Sequence, residues 1–215
     1  KIVKSVFQDE EMRKTYLSVL RTGLSGNRQE KLFMANGSGR NGKGLVNELM
    51  SELCGNYAHK LNISVLTHPI KSGANPEVAN LHHKRWVVAN EPNDDECILA
   101  GNIKRLTGDN VISARPLYGC NEITNLDLTL VIELNKMIKL NGRIDRAIME
   151  RLVAILFNSY FTSNESVLAD VESEAQRGNE FYKKVEFRRQ YKTALFHYLL
   201  NNVENKLYVC KQAQD

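Results

Sequence analysis

Apolar positions recur along the chain with two periods, and the places where the period changes mark its elements. Met12, Tyr16, Leu17, Leu20 and Leu24 follow helical spacing behind the acidic start Asp9-Glu10-Glu11, and Ser25-Gly26-Asn27 ends the series. A helix entering the core is predicted there. Lys31 to Ala35 predicts a short buried strand; the glycine-rich Gly37 to Gly44 follows, and Leu45, Val46, Leu49, Met50 and Leu53 return to helical spacing. A helical stretch is predicted from Pro76 to Leu81, with proline in its first turn, and it feeds the apolar strand Trp86 to Ala89. Asp94-Asp95 begins a predicted helix that carries Ile98, Ile103 and Leu106 and stops at Gly108. Val111 to Ala114 and Glu122 to Thr124 flank Arg115-Pro116-Leu117-Tyr118-Gly119 and predict a hairpin. Leu128 to Leu134 and Leu152 to Phe157 predict two further buried strands. Beyond Asn158 the pattern turns helical, with Phe181, Val185, Arg188, Tyr191, Leu195 and Leu199 on one stripe of a long helix.

Strands alternating with helices predict an α/β fold around a mainly parallel sheet, with a helical C-terminal extension and with its chemistry at the carboxyl ends of the strands. The predicted segments are a leading helical part over 1–28, a core over 29–160 and the extension over 161–215. Composition supports an ordinary globular chain: 215 residues, 42% hydrophobic and 25% charged, which excludes disordered and fibrous classes. The net charge of +4 permits a polyanionic partner without requiring one. Cys54, Cys97, Cys120 and Cys210 form no CxxC pair, so the expected setting is intracellular and reducing. No apolar run reaches the roughly 18 residues of a membrane span, and no membrane partner is expected. The chain opens on Lys1, so it reads as a piece of a longer polypeptide.

Four places carry chemistry. Gly37, Ser38, Gly39, Arg40, Asn41, Gly42, Lys43 and Gly44 fit GxxxxGK between a strand and a helix, so backbone amides converge on phosphate oxygens while Lys43 neutralises the β and γ phosphates. Gly44 stands where a serine or threonine hydroxyl would meet Mg²⁺, and a water in its place predicts weakened metal binding. Asn90 and Glu91 follow a buried strand. Glu91 is the candidate base that orients a water and reaches the metal, and Asn90 holds the metal or its waters. Asn135 ends the apolar run from Leu130 and is placed to sense the γ-phosphate and position the water. Arg143, Arg146 and Arg151 cluster before the last predicted strand; an arginine supplied by a neighbouring subunit contributes about 10³ to 10⁵ in rate. The His82-His83 pair has no metal-ligand pattern around it.

In order and spacing, GSGRNGKG, ANE, NIKRLTGD, ISARPLY, TLVIELN and DRAIMERLVAILF resemble the superfamily 3 helicases, in particular the ATPase domain of poxvirus-type primase-helicases of large DNA viruses. The likeness runs from about Glu10 to Leu200. It implies a P-loop NTPase fold of AAA+-like type, with ATP cradled by Gly37, Gly39, Asn41, Gly42 and Lys43, and metal and water served by Asn90 and Glu91. It implies Asn135 as the sensor, Arg151 as the arginine finger with Arg146 second, and a third motif over Lys104, Arg105, Thr107, Gly108 and Asp109. That motif leads into a DNA-gripping hairpin, where a cation for phosphate and an aromatic for the base point to Arg115 and Tyr118, with Lys104 beside them. The implied setting is a hexameric ring around single-stranded DNA, moving 3′ to 5′ in the host cytoplasm, with a primase module in the same longer chain. Two rival readings share the phosphate loop: a small-molecule kinase, and a nucleotide-binding ring scaffold whose hydrolysis has decayed.

Overall fold

In a computed structural model of the chain, residues 1–70, 75–116, 122–170 and 172–214 are described. Five strands carry the architecture: β1 (Leu32–Asn36), β2 (Ala58–Leu61), β3 (Trp86–Ala89), β4 (Thr129–Leu134) and β5 (Leu152–Leu156). They form one sheet in the order β2-β3-β4-β1-β5, and every adjacent pair is parallel. A parallel sheet is covered on both faces, which is why these strands read as continuous apolar runs. Phe33, Ala35, Trp86, Val88, Val131, Val153 and Ile155 point to one face. Leu32, Val87, Ala89, Leu130, Ile132 and Leu134 point to the other.

The first face is covered by α1 (Glu10–Ser25), α2 (Lys43–Cys54) and the long C-terminal helix, and the second by short helices together with α3 (Ala100–Gly108). The long helix, α4, spans Val185–Asn202. Local rules set the ends of α1: the Asp9 carboxylate accepts the Met12 amide at 2.6 Å, and Gly26 closes the helix in the left-handed region at φ 68°. The tail also returns to α1, where the Tyr208 and Cys210 amides donate to Ser18 Oγ and Thr15 Oγ1, each at 3.0 Å. The leading segment, the sheet and the extension therefore share one hydrophobic cluster.

Three expectations change in detail. The helix predicted from Asp94 begins only at Ala100, because Ile98 and Leu99 are drawn into a short parallel pairing with Leu140 and Asn141, with the Ile98 amide donating to the Lys139 carbonyl at 2.8 Å. The extension is not wholly helical: Phe161–Thr162 pairs with Gln176–Arg177, and Gln176 Nε2 reaches the Ser5 carbonyl at 3.0 Å. On α4 the buried side chains are Phe187, Leu195 and Leu199, while Val185 and Tyr191 are exposed. A separate 3₁₀ turn over Glu180–Lys183 holds Phe181 and resets the helical face. The hairpin of Val111–Ala114 with Glu122–Asn125 is present and antiparallel.

Strand order sets the site. The chain leaves β1 at one side of β4 and returns in β2 beyond β3, so connections part in opposite directions between β1 and β4, and a crevice opens at their carboxyl ends. The close fit of α1 to the sheet is testable at Gly23, where an added Cβ would lie 2.8 Å from Trp86 Cε3. Gly23→Ala is expected to lower stability in urea unfolding by about 1–3 kcal/mol through overpacking, outweighing the roughly 1 kcal/mol that alanine gains in a helix. A raised midpoint would contradict that packing.

Candidate active site

The loop after β1 is built for close approach. An added Cβ on Gly37 would fall 2.2 Å from Asn41 Nδ2 and 2.5 Å from the Phe157 carbonyl, so only glycine fits. Gly39 and Gly42 adopt φ of 95° and 84°, and Gly42 forms the N-cap of α2. The amide of Lys43 donates to Asn41 Oδ1 at 3.3 Å, while Asn41 Nδ2 is buried with no partner among the described residues. An orphaned buried amide donor, beside the positive end of a helix of 12 residues, suits an anion such as phosphate.

Lys43 lies almost wholly inside, with 7% of its surface exposed. Its ammonium donates to the Gly37 carbonyl at 2.8 Å, to the Leu134 carbonyl and to Asn135 Oδ1 at 2.9 Å. Burial pushes this ammonium below its ordinary value, and the carboxylates Glu133 and Glu91 draw it back up. Asn135 in turn holds Glu91: its amide donates to Glu91 Oε1 and its side-chain Nδ2 to Oε2, both at 2.9 Å, and the Lys136 amide adds a third bond at 3.0 Å. A carboxylate has about four acceptor positions, so these three bonds fix Glu91 and leave room for roughly one water or metal contact. Lys43, Asn135 and Glu91, which come from three separate stretches of sequence, thus form one hydrogen-bonded chain. Register brings them together: Asn36 pairs with Leu134 and Ala89 with Ile132, so β1, β3 and β4 end nearly level.

Asn90 is exposed at the end of β3 beside this chain, and Gly44 offers no side chain. Among the described residues no group of three or more histidine, cysteine or carboxylate side chains is placed to hold a metal by itself. The oxygens of Glu91 and Asn90 suit Mg²⁺, which takes few protein ligands and relies on phosphate oxygens and water.

One further element was not singled out from the sequence. The Tyr16 hydroxyl, buried beneath α2, donates to Asn47 Oδ1 at 2.7 Å, and Asn47 Nδ2 donates to Glu133 Oε1 at 2.6 Å. Burial and the Glu133 charge raise the Tyr16 phenol well above its ordinary value. The available signal was a lone charge inside an apolar run, Leu130-Val131-Ile132-Glu133-Leu134. Beside the loop a cavity of about 960 Å³ opens between the leading helix Ile2–Val6 and the Phe161–Thr162 pairing, lined among others by Arg40, Gly42, Gly44, Phe161, Arg177 and Tyr182.

Among the described residues, the remaining candidates lie apart from this constellation. Arg146 and Arg151 precede β5, at the end of the sheet opposite the loop; by strand rise of about 3.3 Å per residue they stand roughly 17 Å from it. Arg151 is folded inward, donating to the Ala147 carbonyl at 2.7 Å and lying 3.7 Å from Glu30, whereas the Arg146 side chain is 89% exposed and pairs only with Glu150 among the described residues. Lys104 pairs with Asp145 at 2.7 Å, which joins α3 to the helical turn Arg146–Met149, and its side chain stays 38% exposed. Arg115 is exposed at the end of the first hairpin strand, and Tyr118 lies outside the described residues.

The buried relay under α2 has a stability consequence. Asn47→Ala leaves the Tyr16 hydroxyl unpaired and is expected to cost about 1–3 kcal/mol, while Tyr16→Phe in the same background restores part of it. Equal stability of Asn47→Ala and wild type in chemical unfolding would contradict the relay.

No family model matches the chain. It is 34% identical over 166 residues to "Putative helicase 022R" of Frog virus 3, covering 74% of this chain and 17% of that protein. It is 30% identical over 161 residues to primase D5 of Fowlpox virus, covering 72% and 20%, and 30% identical over 184 residues to uncoating factor OPG117 of Vaccinia virus, covering 83% and 22%. In fold it is similar to the apo C-terminal region of NrS-1, with a TM-score of 0.69, 15% identity, and coverage of 99% of this chain and 49% of that one. The chain spans about a fifth of the length of these viral relatives. It is therefore an α/β chain homologous to one segment of the helicase and primase proteins of large DNA viruses.

Proposed function

We propose that the chain is the ATP-hydrolysing motor segment of a superfamily 3 DNA helicase, active as part of a longer viral replication protein. The observation that carries this reading is the continuous chain from Lys43 through Asn135 to Glu91 at the carboxyl ends of neighbouring parallel strands, beside a loop fitted to phosphate. In this reading the amides of Gly37 to Gly44 and the Lys43 ammonium hold the triphosphate, and the base and ribose enter the cavity lined by Phe161 and Tyr182. Glu91 accepts a proton from the attacking water, and Asn135 keeps the carboxylate, the lysine and the water in one geometry. A bound Mg²⁺ would offset the charge that develops on the phosphates. Glu91 and Asn90 are the residues proposed to hold it.

Both arginines lie too far from their own loop to act there, so an arginine reaches an ATP site only from a neighbouring copy in a ring, which we take to be a hexamer. Exposure favours Arg146 for this role over the inward-folded Arg151. Arg115, on the hairpin, contacts the phosphates of single-stranded DNA, and a primase module elsewhere in the same chain uses the strand that is opened. The helicase and primase names of the relatives support this setting, which is the host cytoplasm. Gly44 and Asn90 favour one rival, a ring that binds ATP and DNA without turnover.

Steady-state Mg²⁺-ATP hydrolysis separates the two. The reading expects a rate that rises with single-stranded DNA and steepens with protein concentration, and that falls by at least about 100-fold in Lys43→Ala. ATP binding with no turnover at any concentration would favour the scaffold. For the shared site, Arg146→Ala and Lys43→Ala are each expected to be inactive alone but to recover part of the rate when mixed, because some interfaces then join an intact lysine to an intact arginine. No recovery would rule out an arginine supplied across subunits at this position.

A further inference from the structure

Glu133 is a carboxylate where a buried strand calls for an apolar side chain. Its neighbours Ile132 and Leu134 face the α3 side of the sheet, so by strand alternation Glu133 shares the opposite face with Val131, beneath α2. One oxygen accepts Asn47 Nδ2 at 2.6 Å, and Asn47 is itself fixed by the buried Tyr16 hydroxyl at 2.7 Å. The second oxygen has no hydrogen-bond partner among the described residues. A carboxylate aimed by two successive hydrogen bonds, the first of them buried, with one oxygen free, has a stronger structural constraint than a solvated surface glutamate.

Its position coincides with two gaps in the metal-binding chemistry. Phosphate-loop enzymes normally present a hydroxyl from the residue after the lysine, and an aspartate at the strand end, to Mg²⁺ or its waters. This chain has Gly44 and Asn90 instead, both neutral. Ala89 is the last residue of β3 and pairs with Ile132, and extending that register by one residue would set Asn90 opposite Glu133, on the α2 side of the sheet. A Cβ added at Gly44 would meet nothing within 4 Å, so the space above that residue is open.

We propose that Glu133 is a positioning residue for the metal: its free oxygen holds a water of the Mg²⁺ that accompanies ATP, supplying from β4 a negative charge that the neutral Gly44 and Asn90 do not. Asn47 and Tyr16 set the direction of the carboxylate. The relocation is consistent with how Mg²⁺ binds, retaining several waters and taking one or two carboxylates alongside phosphate oxygens. The inference rests on the nucleotide reading above, since it needs a triphosphate in the loop.

The test is equilibrium binding of ATP with Mg²⁺ and with EDTA, on wild type, Glu133→Gln and Glu133→Gln/Gly44→Ser. Glutamine keeps an acceptor for Asn47 while removing the charge. Mg²⁺ is expected to tighten ATP binding in wild type; Glu133→Gln loses that gain by about 10- to 100-fold, with affinity in EDTA unchanged or tighter. Gly44→Ser in the variant restores part of the gain by returning the missing hydroxyl. An unchanged Mg²⁺ gain in Glu133→Gln overturns the proposal, and so does an equal loss with and without metal, which would make Glu133 a support for α2 alone. If wild type binds no ATP under either condition, the nucleotide reading itself fails and takes this inference with it.

Discussion

An ammonium group buried at the ends of two parallel strands must be met by oxygen atoms, and the site is organised around meeting that need for Lys43. Its partners are a loop carbonyl, a strand carbonyl and the Asn135 side chain, so one charge ties the glycine loop to the end of β4. Without those acceptors the buried cation would carry a large desolvation cost. With them, Asn135 is oriented to hold both oxygens of Glu91. The order β2-β3-β4-β1-β5 makes this arrangement possible, because it sets the end of β4 directly beside the loop that follows β1 and the end of β3 one strand further.

Much of this was legible in the sequence for physical reasons. Parallel strands buried on both faces leave continuous apolar runs, and the runs at Trp86 and Leu130 end in polar residues at the point where the sheet ends. The strand, glycine loop and helix around Lys43 appear in order because close backbone approach at Gly37 excludes any side chain. What the sequence conceals is partnership. The exchange between Lys104 and Asp145, which joins α3 to a helical turn, involves residues 41 positions apart with no local signature. The pairing of Phe161–Thr162 with Gln176–Arg177 is too short to show a period, and Ile98 keeps helical spacing although it lies in a strand.

Glu133 sits between these cases. A single acid within an apolar run was visible, but its meaning depended on register: only the pairing of β3 with β4, extended by one residue, would set it opposite Asn90, and only with α2 in place does Asn47 reach it. The departures at Gly44 and Asn90 then read differently. In the metal-positioning role proposed for Glu133, a fixed carboxylate on the adjacent strand would make up for the neutral side chains at both positions.

The measurement that bears most directly on the account is a crystal structure of the chain with Mg²⁺ and a non-hydrolysable ATP analogue. The account predicts the triphosphate within the Gly37–Gly44 loop, the Lys43 ammonium moved from the Leu134 carbonyl to the β and γ phosphates, and Glu91 facing a water in line with the γ-phosphate. A triphosphate bound elsewhere, or Lys43 still held by Leu134 and Asn135 with the nucleotide present, would contradict it.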